Sequence, residues 1–263
     1  MGLRNKLRGI AEIMQFDNRW QLLASRLFTP GRTSLLYKYR GLEFLTDHAA
    51  GDANGAREVL TSDMYRKYLP QMDLKGPLNV LDIGANNGGF PLLLAAEGYE
   101  IGRTVCVELN PKTFERLVFN LERNFGSRAD AINAAVCGKE QEIEFTSGTG
   151  STSDNIYGRN ANSSHEAISV AGRTFDQIAE ASFGGERIDI CKMDIEGAEF
   201  ETFASENFTR LTNCRYLLIE IHHSKATPRD TVIQALITAG FDEIDGEDKN
   251  DEMHHVHLFV NNR

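Results

Sequence analysis

The chain has 263 residues, 41% of them hydrophobic and 25% charged, with a net charge of −10; this is enough for one large α/β domain with an appendage. No apolar run reaches the ~18 residues of a membrane-spanning helix, and MGLRNKLRGIAEIMQF lacks the ~7–15-residue apolar stretch of a signal peptide. The first forty residues hold eight basic side chains against two acidic ones, a net +6, which leaves −16 on the remainder and argues against a nucleic-acid groove there.

Residues 1–75 read as a mostly helical N-terminal cap with a basic face, open to solvent, to an acidic partner or to a membrane surface. Within it, REVLTSDMYRKYLPQM spaces Val59, Leu60, Met64, Tyr68 and Leu69 as one helix. Lys75-Gly76-Pro77 punctuates the chain, and residues 76–263 form the second unit.

From Leu78 short apolar runs alternate with helical segments. Strand LNVLDIG precedes helix FPLLLAAEG, with Pro91 in its first turn and Gly98 at its end. Strand TVCVEL precedes helix PKTFERLVFNLERNF; strand DAINAAV follows, then EIEFTS and AISVAGR around the polar insert SGTGSTSDNIYGRNANSSHEA. The insert reads either as a surface loop or as a lid offering Ser151, Ser153, Asn155 and Tyr157 to a polyol. Helix TFDQIAEAS, strand IDICKMD, helix GAEFETFASENF, strand RYLLIEIH and helix PRDTVIQALITAG come next. FDEID and HVHLFVN close the chain, joined by the acidic turn GEDKNDEM. Apolar strands between helices predict a doubly wound, mostly parallel α/β sheet, and the final pair, with no helix between, makes the last strand antiparallel. Ligands of such sheets sit beyond the carboxyl ends of the strands, at the switch point. Cys106, Cys137, Cys191 and Cys214 lie in or beside apolar runs without a CxxC pair, which predicts buried reduced thiols and a cytoplasmic protein.

The strand-to-helix loop VLDIGANNGGF spaces its glycines as Gly84-x-x-x-Gly88-Gly89. That matches neither the dinucleotide fingerprint nor the P-loop, and no lysine stands ready for a phosphate. Asp82 ends the first strand and Glu108 the second, beside the loop. A carboxylate there accepts both protons of a ribose diol. A ribose reader without pyrophosphate chemistry suits a nucleoside cofactor with no phosphate, and S-adenosylmethionine is one, its cationic sulfonium and ammonium suited to an acidic neighbour.

In order, VLDIGANNGGF, CVELNP, NAAVCG, KMDIEGAE and LLIEIHH resemble the FkbM-type S-adenosylmethionine-dependent methyltransferases, and TFDQIAE resembles that family's threonine-led helix before the fourth strand. The resemblance runs from Leu78 to Val260. It implies a Rossmann-like seven-stranded methyltransferase sheet, an N-terminal extension of varying role, and O-methylation of a sugar, glycan or small metabolite. It also implies a cofactor site from Asp82, Gly84, Ala85, Asn86 and Gly88, from Glu108 and Leu109, and from Ala135 and Val136 near the adenine.

A hydroxyl acceptor must lose its proton, so a base is expected on the acceptor side. Lys192-x-Asp194 ends the fourth strand and Glu220-x-His222 the fifth; period-two alternation puts each pair on one face, so all four converge beside the glycine loop. His222 is the expected base because it titrates near neutrality. Asp194 is alternatively an N-cap carboxylate and Glu196 a helix-dipole partner. An antiparallel last strand would bring His254 or His255 up to His222. Asp194, Glu220 and His222 could then hold a divalent metal, although a metal-free site is the preferred reading. The rival functions are ribose methylation of a nucleic acid, which the acidic body disfavours, and a binding module without turnover.

Overall fold

The computed structural model describes residues 9–50, 52, 55–146, 167–224, 226–246 and 254–262. After a helical turn over residues 9–13, the short helix α1 (Arg19–Phe28) buries Leu22. It leads into an antiparallel hairpin, β1 (Ser34–Tyr39) and β2 (Leu42–Asp47). The expectation of a mostly helical cap is therefore corrected at 34–47. Leu35, Tyr37 and Tyr39 alternate into the core, and Phe16 and Phe44 pack edge-on and stacked against Tyr37. The predicted helix over 57–72 is also shorter: α2 (Ala56–Thr61) ends where Ser62 turns extended, and a separate 3-10 turn spans Arg66–Gln71.

The main sheet has seven strands in the order β11-β12-β10-β9-β3-β4-β5. In chain order these are β3 (Leu78–Ile83), β4 (Ile101–Glu108), β5 (Ala129–Asn133), β9 (Ile188–Met193), β10 (Cys214–His222), β11 (Phe241–Gly246) and β12 (His254–Asn261). Only β12 runs against the direction of the other six strands, as the missing helix before it predicts. The predicted strand over 130–136 breaks at Ala134, whose N–H is drawn to the Glu108 carbonyl. Its last residues, β6 (Ala135–Val136), join a small sheet with β7 (Gln141–Thr146) and β8 (Ala167–Arg173). The polar insert between β7 and β8 falls at 147–166, outside the described residues.

The crossover helices are α3 (Gly89–Ala96), α4 (Pro111–Phe125), α5 (Phe175–Phe183), α6 (Glu199–Ala204) and α7 (Asp230–Ala239). Their starts are written in the sequence. Asn110 caps α4 by accepting from the Lys112 and Thr113 N–H groups, with Pro111 at the first helical position. Thr174 and Gln177 form a reciprocal capping box on α5. The helix expected over 197–208 is confined to α6, because Ser205 is extended.

One hydrophobic cluster runs from Ile13, Phe16 and Tyr37 through Leu60 and Tyr68 to Val80, Phe90 and Leu218, so the N-terminal segment shares its core with one face of the main sheet. A second cluster, including Leu81, Ile83, Phe175 and Leu217, fills the other face. The hairpin is anchored by polar contacts too. Asn120 accepts from the Leu45 N–H at 2.6 Å and donates to the Leu45 carbonyl at 3.1 Å, while Asn124 does the same for Glu43 at 3.0 and 2.7 Å. Two amides one turn apart on α4 thus substitute for a missing strand partner at the edge of β2.

Candidate active site

Reversal of strand order falls between β3 and β9, where a crevice is expected. A cavity of about 340 Å³ lies there, within the roughly 300–1,000 Å³ of small-molecule sites. The loop after β3 forms its floor. Gly84 has φ +74°, and a Cβ there would stand 1.7 Å from the Asp194 carbonyl oxygen, so the two strand ends can meet only over a glycine. Asn86 takes φ +48°, a left-handed conformation that asparagine tolerates, and Gly88 takes φ +91° as it caps α3.

Glu108 holds this loop open. Its Oε2 accepts the Asn86 N–H at 2.9 Å and its Oε1 the Asn110 N–H at 2.8 Å. Burial lifts its carboxyl to about 7, partly offset by those two N–H groups. Gly84, Ala85, Asn86, Glu108, Leu109, Ala135 and Val136 all line the cavity; Asp82 and Gly88 lie behind it. Asp82 is fully buried, and neither of its oxygens accepts a hydrogen bond among the described residues. Burial raises its pKa, and the Lys192 ammonium 3.4 Å away partly offsets that. Asp82 thus addresses the cavity through Lys192 rather than directly.

The four residues singled out at the ends of β9 and β10 do converge. Lys192 donates to the Gly84 carbonyl at 2.7 Å and lies 3.6 Å from Asp194. Burial would discharge it, but Asp82, Asp194 and Glu220 together hold its pKa above the ordinary lysine value. Lys192, Asp194 and Glu220 line the cavity. Asp194 is not an N-cap, since α6 begins five residues later and carries no side-chain cap. Its Oδ2 instead accepts the Tyr65 hydroxyl at 3.1 Å. Tyr65, which sequence reasoning missed, comes from 129 residues upstream, and burial followed by the Asp194 charge keeps its phenol protonated.

His222 sits among four carboxylates. Nδ1 is 3.2 Å from Glu199, while Nε2 is 3.3 Å from Glu196, 3.7 Å from Glu220 and 3.8 Å from Asp194. Glu199 is fully buried and also accepts the His222 backbone N–H at 2.6 Å. Burial opposes a positive charge on the ring, but Glu196, Glu199 and Asp194 outweigh it and raise the pKa to about 11. So raised, the ring favours its protonated form, which weighs against the expectation that His222 is the base. Glu196 is no dipole partner either; its backbone, at φ +54°, turns its carboxylate to His222.

The register confirms that β12 starts at this edge, with His254 paired to His222. Ligand atoms of Asp194, Glu220 and His222 lie within 4.8 Å of one another, a set that could hold a metal ion. Lys192 brings a positive charge to the same cluster, 3.6 Å from Asp194.

A doubly wound sheet with one antiparallel strand, a glycine cradle at its switch point and an acid ending the second core strand defines a Rossmann-like methyltransferase. The family model of the methyltransferase FkbM domain matches residues 82–259. The chain belongs to the FkbM methyltransferase family, whose cofactor is S-adenosylmethionine. Among solved structures it is similar to methyltransferase FkbM from Methylobacillus flagellatus KT (TM-score 0.51, 17% identity), over 75% of this chain and 46% of that one. It is also similar to Aeropyrum pernix fibrillarin in complex with S-adenosyl-L-methionine (TM-score 0.47, 16% identity, 89% and 86% covered). A third is a protein of the NADB-Rossmann superfamily from Streptococcus agalactiae (TM-score 0.43, 13% identity, 72% and 64% covered). The chain thus spans less than two thirds of the length of the Methylobacillus and Streptococcus chains. No curated protein matches it.

Proposed function

We propose that the protein transfers a methyl group from S-adenosylmethionine to a hydroxyl of a sugar, glycan or small metabolite. The observation that carries this reading is one cavity lined by Glu108, from the end of β4, and by Asp194 and Glu220, from the ends of β9 and β10. The residues fit the cofactor. Carboxylates outnumber Lys192 around the cavity, which suits a ligand bearing a sulfonium and an ammonium. Glu108 would take the ribose hydroxyls, Leu109, Ala135 and Val136 the adenine, and the Gly84–Asn86 backbone the amino-acid end.

When bound, the cofactor supplies an electrophilic methyl on a cationic sulfur. The protein orients the acceptor and disposes of its proton. Asp194 would accept the hydrogen bond of the acceptor hydroxyl and take up its proton. Tyr65 and Lys192 hold the Asp194 carboxylate in place, and the His222 imidazolium prevents the surrounding carboxylates from repelling one another. The acidic body supports an uncharged polyol over a nucleic acid, and four free buried thiols support a reducing, cytoplasmic setting.

The test incubates metabolite and glycan extracts with the protein and methyl-labelled cofactor and reads products by mass spectrometry. A labelled O-methyl product whose formation falls ~10²–10⁴-fold in Asp194→Asn is expected. Label only on nitrogen or carbon, or a wild-type rate in the variant, rejects the reading.

A further inference from the structure

Of the nine exposed large hydrophobic side chains among the described residues, five fall between residues 10 and 28: Ile10, Met14, Trp20, Leu27 and Phe28. Trp20, Leu27 and Phe28 are 68%, 75% and 81% exposed. Seven residues apart, Trp20 and Leu27 share one face of α1, turned away from the buried Leu22. The helical turn over 9–13 adjoins the end of α1, since a Cβ on Gly9 would lie 3.5 Å from the Arg26 guanidinium. Arg19, Arg26 and Arg32 accompany this face, and no acidic residue occurs from Asn18 to Thr33. No described helix is long and apolar enough to cross a membrane.

We propose that this face docks the protein on an anionic phospholipid surface. Aromatic and aliphatic side chains beside arginines are the composition of a helix lying in the headgroup layer. A tryptophan is suited to that depth, where one end of its ring is apolar and the other wet. Charge selects this occupant over a second copy of the chain: two copies of the face would oppose three arginines to three, with Asp17 the one exposed acid between residues 9 and 33 to answer them. The lipid phosphates supply the negative charge. The −16 carried beyond residue 40 turns the rest of the molecule away from the same surface, so the charge distribution orients the protein as well as attracting it. This inference is independent of the methyl acceptor.

Trp20 is the sole tryptophan, so intrinsic fluorescence reports on this face alone. With vesicles of phosphatidylcholine and phosphatidylglycerol, emission should shift to the blue and the protein should co-sediment; with phosphatidylcholine alone, binding should be at least about tenfold weaker. The double variant Leu27→Ser, Phe28→Ser should lose vesicle binding about tenfold or more, while its affinity for S-adenosylhomocysteine stays unchanged. Arg19→Glu with Arg26→Glu should abolish the preference for the anionic lipid. Unshifted emission with no co-sedimentation on anionic vesicles overturns the proposal. So does a concentration-dependent dimer in ultracentrifugation that the Leu27→Ser, Phe28→Ser variant abolishes, because the face is then an interface between copies.

Discussion

Glu108 carries the sharpest quantitative expectation. Each of its oxygens already accepts one loop N–H, at 2.9 and 2.8 Å, and an ionised carboxylate has about four acceptor directions, which leaves one per oxygen for a ribose diol. Hydrogen bonds to a charged group contribute ~1.5–3 kcal/mol each. Glu108→Gln keeps the shape, retains one acceptor and removes the charge, so about 2–3 kcal/mol should be lost, roughly 30–150-fold in Kd. A second signature separates this from damage to the loop. With the carboxyl held at about 7, only about a tenth is ionised at pH 6 and about nine tenths at pH 8. Wild-type affinity for S-adenosylhomocysteine, by calorimetry, should therefore rise about tenfold across that interval and stay flat in Glu108→Gln. Equal affinities, or an equal slope in both proteins, would refute the assignment of Glu108 to the ribose.

Other expectations concern the acceptor end and the loop. His222 has a folded pKa near 11 against 6.5 unfolded, so its stabilisation is complete below 6.5 and fades as pH rises towards 11. Denaturant titrations should show the stability gap between wild type and His222→Gln narrowing from pH 7 to 10, and a constant gap would mean that the ring is neutral. Tyr65→Phe removes the donor to Asp194 and should lower kcat about 10-fold or more with cofactor affinity unchanged; a change in affinity alone would place Tyr65 elsewhere in the cycle. Gly84→Ala, whose Cβ would meet a carbonyl at 1.7 Å, should cost over ~3 kcal/mol or abolish cofactor binding, read by thermal melting with and without S-adenosylhomocysteine. Chelator should leave turnover intact, and activity lost to chelator and restored by a divalent ion would show Asp194, Glu220 and His222 ligating a metal.

The sheet was legible because its strands are continuous apolar runs bounded by caps: Asn110-Pro111 and Thr174-x-x-Gln177 do in the structure what such sequences do locally. The convergence of Lys192, Asp194, Glu220 and His222 was legible for a similar reason, since alternation and strand adjacency are geometric rules. The hairpin was not. Its turn is Arg40-Gly41, both at positive φ, and an arginine in the first position hides a turn that Asn-Gly would announce. Tyr65 was invisible because nothing local marks a residue that meets its partner 129 positions away. The upward push on the His222 pKa was not legible because it depends on Glu196 and Glu199, whose carboxylates reach the ring only after the β9–α6 turn has folded.

Tyr65, together with Gly55, Glu58, Val59 and Met64, walls the cavity from a stretch that precedes the family-matched span. The cavity is therefore finished by two stretches of chain, and the upstream one also meets the glycine loop, where Asn87 accepts the Ala56 N–H at 2.6 Å. Replacement of the upstream stretch would alter both that wall and the footing of the loop. Trimming to residues 82–259 would open that wall and strip out the aromatic and aliphatic side chains that finish one face of the core.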